Sequence, residues 1–315
     1  MPMAAMLDPD IQRLLDTVFA VPSGADAPDL AQLRRAAEEA PVLLGGKPEP
    51  VAGVDDAFAP GAGTPLPVRV YRPAATAALP LVVYAHGGGW VTGSLDSHDR
   101  LCRMLANRLH AVLVVVDYRR APEHVYPAAL DDFEAAWRWA RAEASSLGAD
   151  GTRFVVAGDS SGGNLAAALT LRLRSDGAPQ PNLQILLYPA LDASCSRPSY
   201  REFATGYSLS AVQMAWYWDT YRAGAAKNAV GLSPLAAVDL SGVPPAVIAV
   251  AESDVLRDDG LDYAARLKAS GVPVQLIVCT GMIHGFLRWT GEVASASGWL
   301  DAIAAAGCRV LDVSP

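Results

Sequence analysis

Runs of positive charge are missing from this chain. Its 25 Lys and Arg residues are outnumbered by 33 Asp and Glu residues, which gives a net charge of −8 at pH 7. Proteins that bind nucleic acids or anionic membrane surfaces present clustered positive charge. We therefore expect no nucleic-acid partner, and a small neutral molecule is compatible with the composition.

Cysteines are few, and the common cofactor motifs are absent. The four cysteines (Cys102, Cys195, Cys279 and Cys308) form no C-x-x-C pair and have no metal-type spacing with the five histidines. Neither a Walker loop nor a G-x-G-x-x-G run occurs. The sequence therefore predicts reduced cysteines, no metal ion and no nucleotide or other cofactor.

Long apolar stretches are missing too. No segment reaches the roughly 20 uncharged apolar residues that a membrane-spanning helix needs. The N-terminus lacks the basic region and apolar core of a signal peptide. We expect a soluble, cytoplasmic protein without stable membrane insertion.

Short apolar runs alternate with longer helix-like stretches through most of the chain. Such runs are typical of strands buried on both faces, and the alternation predicts an α/β fold with a mostly parallel sheet and helices on both faces. Two shorter runs, at 51–59 and 66–72, predict an edge hairpin of the same sheet. The predicted strands are 81–85, 111–118, 153–158, 183–188, 245–251 and 274–279, and the predicted helices are 97–110, 128–147, 161–175, 260–270 and 292–306.

Two helical segments fall outside this alternation. Because ligands of open α/β sheets bind at the carboxyl ends of the strands, we expect both segments to form a cap there. The predicted division is a first cap segment at 1–45, core at 46–189, a second cap segment at 190–230 and core again at 231–315. Of the neighbouring Trp216, Tyr217 and Trp218, we expect at least two to pack their helix onto the body.

A glycine-framed serine follows one of the predicted strands. Residues 155–164 are V-V-A-G-D-S-S-G-G-N, which is a G-x-S-x-G nucleophile elbow centred on Ser160. Such a turn holds a strained serine with its hydroxyl exposed in a cleft, ready to attack a carbonyl. The motif alone is weak, so its chemical partners decide the interpretation.

A serine hydroxyl needs a base, and a histidine is the usual one. His284 follows the last apolar strand by a few residues, where a loop side chain can point into the cleft. For His86, His98, His110 and His124 we expect structural hydrogen bonding instead.

The base needs an acid to orient it. Asp254, just past the strand at 245–251, is the best placed carboxylate, and the order Ser, Asp, His is that of α/β-hydrolases. The alternatives are Asp192, as the rival at the end of another strand, Glu252, for which a supporting hydrogen bond is equally reasonable, and Asp258 and Asp259, which helix N-capping explains.

The attack creates an oxyanion, which backbone N–H groups can stabilise where no side chain blocks the approach. The run H-G-G-G-W at residues 86–90 directly follows a predicted strand. We therefore assign the N–H groups of Gly88 and Gly89, together with that of Ser161 after the nucleophile, to an oxyanion hole.

Seven motifs in the same order resemble the bacterial hormone-sensitive-lipase-like esterases, family IV of the lipolytic enzymes, in the subgroup with Asp before the nucleophile. The resemblance covers most of the chain and implies an α/β-hydrolase core, a helical cap, and a catalytic triad of Ser160, Asp254 and His284. The motifs are H-G-G-G-W-V-T-G-S-L from residue 86, D-Y-R-R-A-P-E from 117, P-A-A-L-D-D from 127, G-D-S-S-G-G-N from 158, Y-P from 188, D-V-L-R-D-D-G from 254 and H-G-F from 284.

The chain departs from the family pattern at three positions. Ser161 stands where Ala is usual, Arg120 replaces a Leu, and Val255 replaces the Pro that follows the acid. Because Ser161 would donate through its backbone N–H, function should survive that change. The loop that carries Asp254 is expected to be less rigid.

These residues together predict a serine carboxylesterase for short to medium acyl chains, with a small-molecule ester as its substrate. The same site allows an amidase, a deacetylase or a lactone hydrolase, and the fold also occurs in the resembling plant gibberellin receptors, which lack the catalytic histidine. The resemblance allows a homodimer formed through a sheet edge. The candidate pocket walls are Trp90, Phe203, Tyr207, Trp216, Ile283 and Phe286.

Overall fold

The computed structural model describes residues 6–19, 29–61, 63–75 and 78–313. Within these residues the chain forms an eight-stranded sheet with helices on both faces. The strands are β1 Gly53–Pro60, β2 Pro65–Arg72, β3 Leu79–Ala85, β4 Val112–Val116, β5 Ala149–Asp159, β6 Leu183–Leu187, β7 Ala246–Ser253 and β8 Val274–Ile283.

The strand order across the sheet is β1-β2-β4-β3-β5-β6-β7-β8. β1 and β2 form an antiparallel hairpin at one edge, and β2 is also antiparallel to β4. All other neighbouring pairs are parallel. The predicted α/β class, with a mostly parallel sheet and an edge hairpin, is therefore confirmed.

The central strands are apolar on both sides because each side faces helices. In β3, Leu81, Val83 and Ala85 pack into one core with α4, α6 and α9, whereas Val82 and Tyr84 pack into a second core with α3 and α10. None of the helices among the described residues is long and apolar enough to cross a membrane. The helices are α1 Pro9–Thr17, α2 Leu30–Leu44, α3 Asp99–Arg108, α4 Ala128–Ala142, α5 Ala144–Leu147, α6 Ser161–Ser175, α7 Ser199–Glu202, α8 Ala211–Arg222, α9 Arg257–Ala269 and α10 Ala294–Leu311.

Several elements differ in their bounds from the sequence prediction, including β5, which begins at Ala149, and α10, which ends at Leu311. The predicted helix at 128–147 is divided at Glu143, whose backbone leaves the helical region, into α4 and α5. β8 continues beyond the apolar run that ends at Cys279, because pairing with β7 shifts register and resumes between Ser253 and Ile283. As a result, His284 directly follows a strand instead of lying a few residues beyond it.

The segments predicted as a cap differ in where they attach. α1 is held against the end of β8, since the Asp8 N–H donates to the Gly281 carbonyl at 3.1 Å and the Asp8 carboxylate accepts from Ser295 at 2.8 Å. α2 and α8 instead contribute side chains to the cavity described below. The division of the chain into cap and core stays a prediction.

Three aromatic rings connect α8 to the loop after β3. Trp90 stacks on Tyr221 with the ring centroids 4.5 Å apart, and Trp218 contacts Trp90 at 4.4 Å. All three side chains are fully buried. Aromatic pairs of this kind contribute both buried area and specific geometry.

Truncation of Trp218 should therefore destabilise the fold. We expect Trp218→Ala to lower the free energy of unfolding by about 3 to 5 kcal/mol, because it leaves a cavity beside Trp90. The matched control is Val212→Ala on the exposed face of the same helix, which should change stability by no more than about 0.5 kcal/mol. Urea unfolding followed by circular dichroism measures both, and equal midpoints for the two variants would contradict the role of the stack.

Candidate active site

The turn between β5 and α6 holds Ser160 in a strained conformation. Its backbone has φ 56° and ψ −119°, a region that residues with a side chain rarely adopt. Gly162 sits so close to β3 that a Cβ there would lie 1.9 Å from the Ala85 carbonyl oxygen. Glycine is therefore required at position 162, because the turn lies so close to the neighbouring strand.

A continuous chain of hydrogen bonds links three of the predicted residues. Ser160 Oγ lies 2.9 Å from His284 Nε2, and His284 Nδ1 lies 2.7 Å from Asp254 Oδ2. The second oxygen of Asp254 accepts from the Leu256 N–H at 2.9 Å, so the carboxylate is held from both sides. The three residues come from the carboxyl ends of β5, β7 and β8, which meet at one edge of the sheet.

The rival carboxylates Glu252 and Asp192 have other partners. Glu252 accepts from the Gly281 N–H at 2.8 Å, which is the supporting hydrogen bond that the sequence allowed. Asp192 forms an ion pair with Arg197 at 3.1 Å. Of the carboxylates weighed from the sequence, Asp254 is the one whose oxygen lies against His284.

The prediction that Asp258 and Asp259 cap a helix is wrong. α9 begins at Arg257, so both residues lie inside its first turn, and their carboxylates reach other segments. Asp258 accepts from the Ser199 N–H at 2.8 Å. Asp259 accepts from the backbone after β6 at 2.9 and 3.1 Å, and burial raises the pKa of its carboxyl well above the usual range.

Three N–H groups predicted as oxyanion donors have no internal acceptor. Within the described residues, the N–H groups of Gly88, Gly89 and Ser161 make no hydrogen bond. Gly89 has φ +62°, and a Cβ on it would lie 2.2 Å from the ring of Tyr217. The loop therefore needs glycine there, and its free donors are available to a ligand.

Asp159, which precedes the serine, ties the elbow to this loop. Its buried Oδ1 accepts from the Gly87 N–H and from the Tyr84 hydroxyl, both at 2.8 Å, and lies 3.4 Å from His98 Nε2. Burial opposes ionisation of this carboxyl, but His98, Arg288 and the Tyr84 hydroxyl more than offset it and hold its pKa below the usual range. Sequence reasoning gave Asp159 no role of its own, although its place beside the serine was a signal.

The histidines outside the hydrogen-bonded chain include two that are fully buried. His86 stacks on Tyr118 with centroids 4.3 Å apart, and its Nδ1 lies 2.8 Å from the Gly87 carbonyl. Burial, together with His98, lowers the pKa of His86 to about 3, so the ring is neutral. His98 contacts Ser97 through its second nitrogen at 3.0 Å. His86 and His98 thus fit the structural role expected of them.

The departure at Arg120 supports the glycine loop. Its guanidinium donates to the Gly93 carbonyl and to Asp117 Oδ1, the latter at 2.9 Å.

Val255, the second departure, is buried, and its carbonyl accepts from Ser199 Oγ at 2.7 Å. The Ser161 hydroxyl is buried and has no partner within the described part of the chain.

A cavity of about 230 Å³ opens above Ser160 and His284. One wall comes from α2, through small side chains, and another from α8 and the segment before it. Among the described residues, the lining consists of Phe19, Leu33, Ala36, Ala37, Ala40, Gly88, Gly89, Asp159, Ser160, Ser208, Leu209, Gln213, Met214, Tyr217, His284, Gly285, Arg288 and Trp289.

The six residues predicted as pocket walls are not among these lining residues. They are Trp90, Phe203, Tyr207, Trp216, Ile283 and Phe286. Trp90, Ile283 and Phe286 are fully buried in the core, where large apolar side chains are most often found. Trp218 packs onto the body as expected, whereas Tyr217 of the same helix reaches the cavity.

No group of three or more His, Cys, Asp or Glu side chains is placed to hold a metal ion in the described ranges. The four cysteines, all within those ranges, are free thiols. The polar groups at the cavity include the serine, the imidazole, the Asp159 carboxylate, the unpaired N–H groups and the guanidinium of Arg288.

Two known proteins with a similar sequence are bacterial ester hydrolases. The chain is 40% identical over 304 residues to an ethyl acetate hydrolase of Pseudomonas putida, covering 92% of this chain and 95% of that protein. It is 40% identical over 298 residues to the carboxylesterase NlhH of Mycobacterium tuberculosis, covering 92% of each.

A solved structure with the same architecture is the ester-hydrolase EH1AB1 from the metagenome of Lake Arreo, complexed with a derivative of bipyridine phosphonate. It superposes with a TM-score of 0.92 at 38% identity, over 96% of this chain and 99% of that one. The sequence model of a family described as having the α/β-hydrolase fold matches residues 82–288, which hold Ser160, Asp254 and His284. The chain therefore belongs to the α/β-hydrolase family, in its hormone-sensitive-lipase-like branch known as family IV.

Proposed function

We propose that the protein is a serine carboxylesterase that hydrolyses short to medium acyl esters through a triad of Ser160, His284 and Asp254. The observation that carries this proposal is the unbroken hydrogen-bonded chain from Asp254 through His284 to Ser160 at the cavity. The ester hydrolases to which the chain is 40% identical support the same reaction class.

The first half of the reaction acylates the enzyme. Ser160 Oγ attacks the ester carbonyl while His284 Nε2 accepts its proton, and Asp254 holds the opposite N–H so that Nε2 is the free base. The protonated imidazole then gives this proton to the leaving alcohol. In the second half, His284 deprotonates a water molecule, which attacks the acyl group and releases the acid.

The negative charge that develops on the carbonyl oxygen is met by backbone donors. The N–H groups of Gly88, Gly89 and Ser161 have no acceptor within the described residues, so they are free to bind that oxygen. The Gly87 N–H donates a hydrogen bond to Asp159 Oδ1 at 2.8 Å. The glycine loop is therefore held in place before the reaction begins. Preorganised donors of this kind contribute roughly 3 to 4 kcal/mol each to the transition state.

The cavity limits the size of the ester. At about 230 Å³ the cavity is smaller than the roughly 300 to 1,000 Å³ of pockets that take drug-sized ligands. This matches an ester of a short acid and a small alcohol. We propose that α2 and α8, from the segments 1–45 and 190–230, act as the cap over this space.

The pairing of two copies of the chain into a homodimer stays a prediction.

Replacement of the nucleophile is the first test. We expect Ser160→Ala to reduce hydrolysis of p-nitrophenyl butyrate at least about 10⁴-fold, because no other nucleophile is activated by His284. The matched control is Ser161→Ala, which keeps the backbone N–H and should retain most of the activity. Unchanged activity in Ser160→Ala would disprove the mechanism.

Covalent labelling separates the esterase from a binding protein on the same fold. An organophosphate should add one mass increment to the wild-type protein, and peptide mapping should locate it on Ser160. A label on Ser161, or no label at all, would contradict the assignment.

The orienting acid is tested by Asp254→Asn. This change places an amide against His284 and favours the wrong tautomer, so we expect kcat to fall by a factor on the order of 10⁴ while the fold is preserved. Asp192→Asn, at the rival carboxylate, should leave kcat within about threefold of wild type, because Asp192 pairs with Arg197 instead. The reverse ranking of the two variants would identify Asp192 as the acid.

Acyl-chain preference follows from the cavity volume. We expect kcat/KM for p-nitrophenyl esters to peak between about two and six acyl carbons and to fall steeply from about ten. Ala37→Leu, in the α2 wall, should shift the peak towards shorter chains, whereas Ala31→Leu, exposed on the same helix, should not. A steady rise in kcat/KM up to long-chain esters would refute the size limit.

A further inference from the structure

An arginine that has no hydrogen-bond or ion-pair partner among the described residues lies on the cavity wall. Arg288 ends the short helical turn Phe286–Arg288 that begins two residues after His284. Its guanidinium lies beside Gly285, since a Cβ on that glycine would be 3.4 Å from Nη2. The side chain therefore sits next to the residue that follows His284.

The guanidinium of Arg288 makes no hydrogen bond and no ion pair with any of the described residues, and its Nε is buried without an acceptor. Asp159, which also lines the cavity, is near enough for Arg288 to lower its pKa but makes no hydrogen bond or ion pair with it. The Oδ1 of Asp159 instead accepts from the Tyr84 hydroxyl and the Gly87 N–H. A charged donor left without an acceptor in a partly buried position costs free energy.

Other arginines that lack a hydrogen-bond partner in the described ranges are accommodated in other ways. Arg35, Arg201 and Arg309 are exposed to water. Arg141 lies over the rings of Trp137 and Phe154, at 5.4 and 5.0 Å from their centroids. Arg288 is neither exposed like the first three nor placed over an aromatic ring like Arg141. We therefore expect its partner to be a group that enters the cavity.

We propose that Arg288 binds a carboxylate of the substrate, so that the site takes short esters that carry a carboxylate a few bonds from the scissile carbonyl. The proposal rests on the esterase function above and specifies its substrate class. A guanidinium matches a carboxylate through two parallel N–H donors.

A carboxylate fits better than a more highly charged group. Arg288 is the one Lys or Arg among the described residues that line the cavity. Phosphoryl groups carry more charge and are usually held by several cations or by a metal ion. The small volume and the position of Arg288 beside the His284 loop keep the charge close to the reacting ester.

Two pairs of substrates of matched shape test this proposal. Monoethyl succinate carries a carboxylate in its acyl part, and ethyl 4-methylpentanoate has an isopropyl group at the same place. Acetoxyacetate carries a carboxylate in its alcohol part, and isobutyl acetate is its neutral counterpart. Titration of the released acid at constant pH gives kcat/KM for each ester.

We expect the wild-type protein to prefer the charged member of at least one pair. Arg288→Gln should reduce kcat/KM for that ester by roughly 10- to 100-fold and leave the neutral counterpart within about twofold. Arg288→Lys keeps the charge but lacks the paired N–H donors of the planar guanidinium. It should therefore give a kcat/KM for the charged ester between those of wild type and Arg288→Gln. The matched control is Arg35→Gln, which removes an exposed charge and should change neither member.

A binding measurement keeps the proposal independent of turnover. In the Ser160→Ala protein, calorimetric titration with monoethyl succinate and with acetoxyacetate should detect binding that Arg288→Gln abolishes. Absence of ester hydrolysis by the wild-type protein, with this binding intact, would reject the esterase mechanism alone. Equal effects of Arg288→Gln on charged and neutral esters, or carboxylate binding that does not depend on Arg288, would overturn the proposal.

Discussion

The close approach of β5 to β3 at the turn through Ser160 is the constraint on which the rest of the site depends. A non-glycine residue at φ 56° is strained, and the turn is held because Gly162 lies directly against the end of β3. This contact brings the loop after β3 beside the serine, so Gly88 and Gly89 line the same cavity as Ser160. β7 and β8 lie on the other side of β6 and supply the carboxylate and the imidazole at the same edge of the sheet. Neither group needs a long loop to reach Ser160, and the geometry is therefore fixed by the sheet itself.

The buried carboxylate of Asp159 shows how this close approach is stabilised. Its contacts with Gly87 and Tyr84 join the two strand ends, and its pKa lies below the usual carboxyl range although burial opposes ionisation. A lowered native pKa means that Asp159 stabilises the fold at all pH values above the ordinary carboxyl pKa of about 3.9. This contribution is lost as the pH falls below that value, because the unfolded state then binds a proton that the native state binds only weakly. His86 is neutral and adds no charge near Asp159. The loop is therefore stabilised by Asp159 and by the Tyr84 hydroxyl and the Gly87 N–H, which donate to it.

The sequence predicted the sheet and the hydrogen-bonded residues well because both depend on local patterns. Apolar runs identify strands that are buried on both faces, and Ser160, Asp254 and His284 each lie just past such a run. The cavity walls could not be predicted in this way. Whether an aromatic ring packs into the core, as Trp90 does, or reaches the cleft, as Tyr217 does, depends on helix orientation and on neighbours far along the chain. The same reason explains Asp259, whose carboxylate bonds a distant backbone segment instead of its own helix.

Chemistry and selectivity are therefore built from different parts of the molecule. The groups proposed for bond cleavage sit on strand ends, where the sheet restrains them, whereas the walls come from α2, α8 and the turn after His284, whose side chains can change without disturbing the sheet. Arg288 belongs to this second group. Its backbone completes a turn that begins with the buried Phe286, yet its guanidinium makes no hydrogen bond or ion pair with any described neighbour. In a protein whose net charge is −8, Arg288, the one Lys or Arg among the described lining residues, attracts an anionic group that the surrounding surface repels. The surface as a whole would repel such a substrate, so selectivity for a carboxylate has to arise at short range, where Arg288 lies.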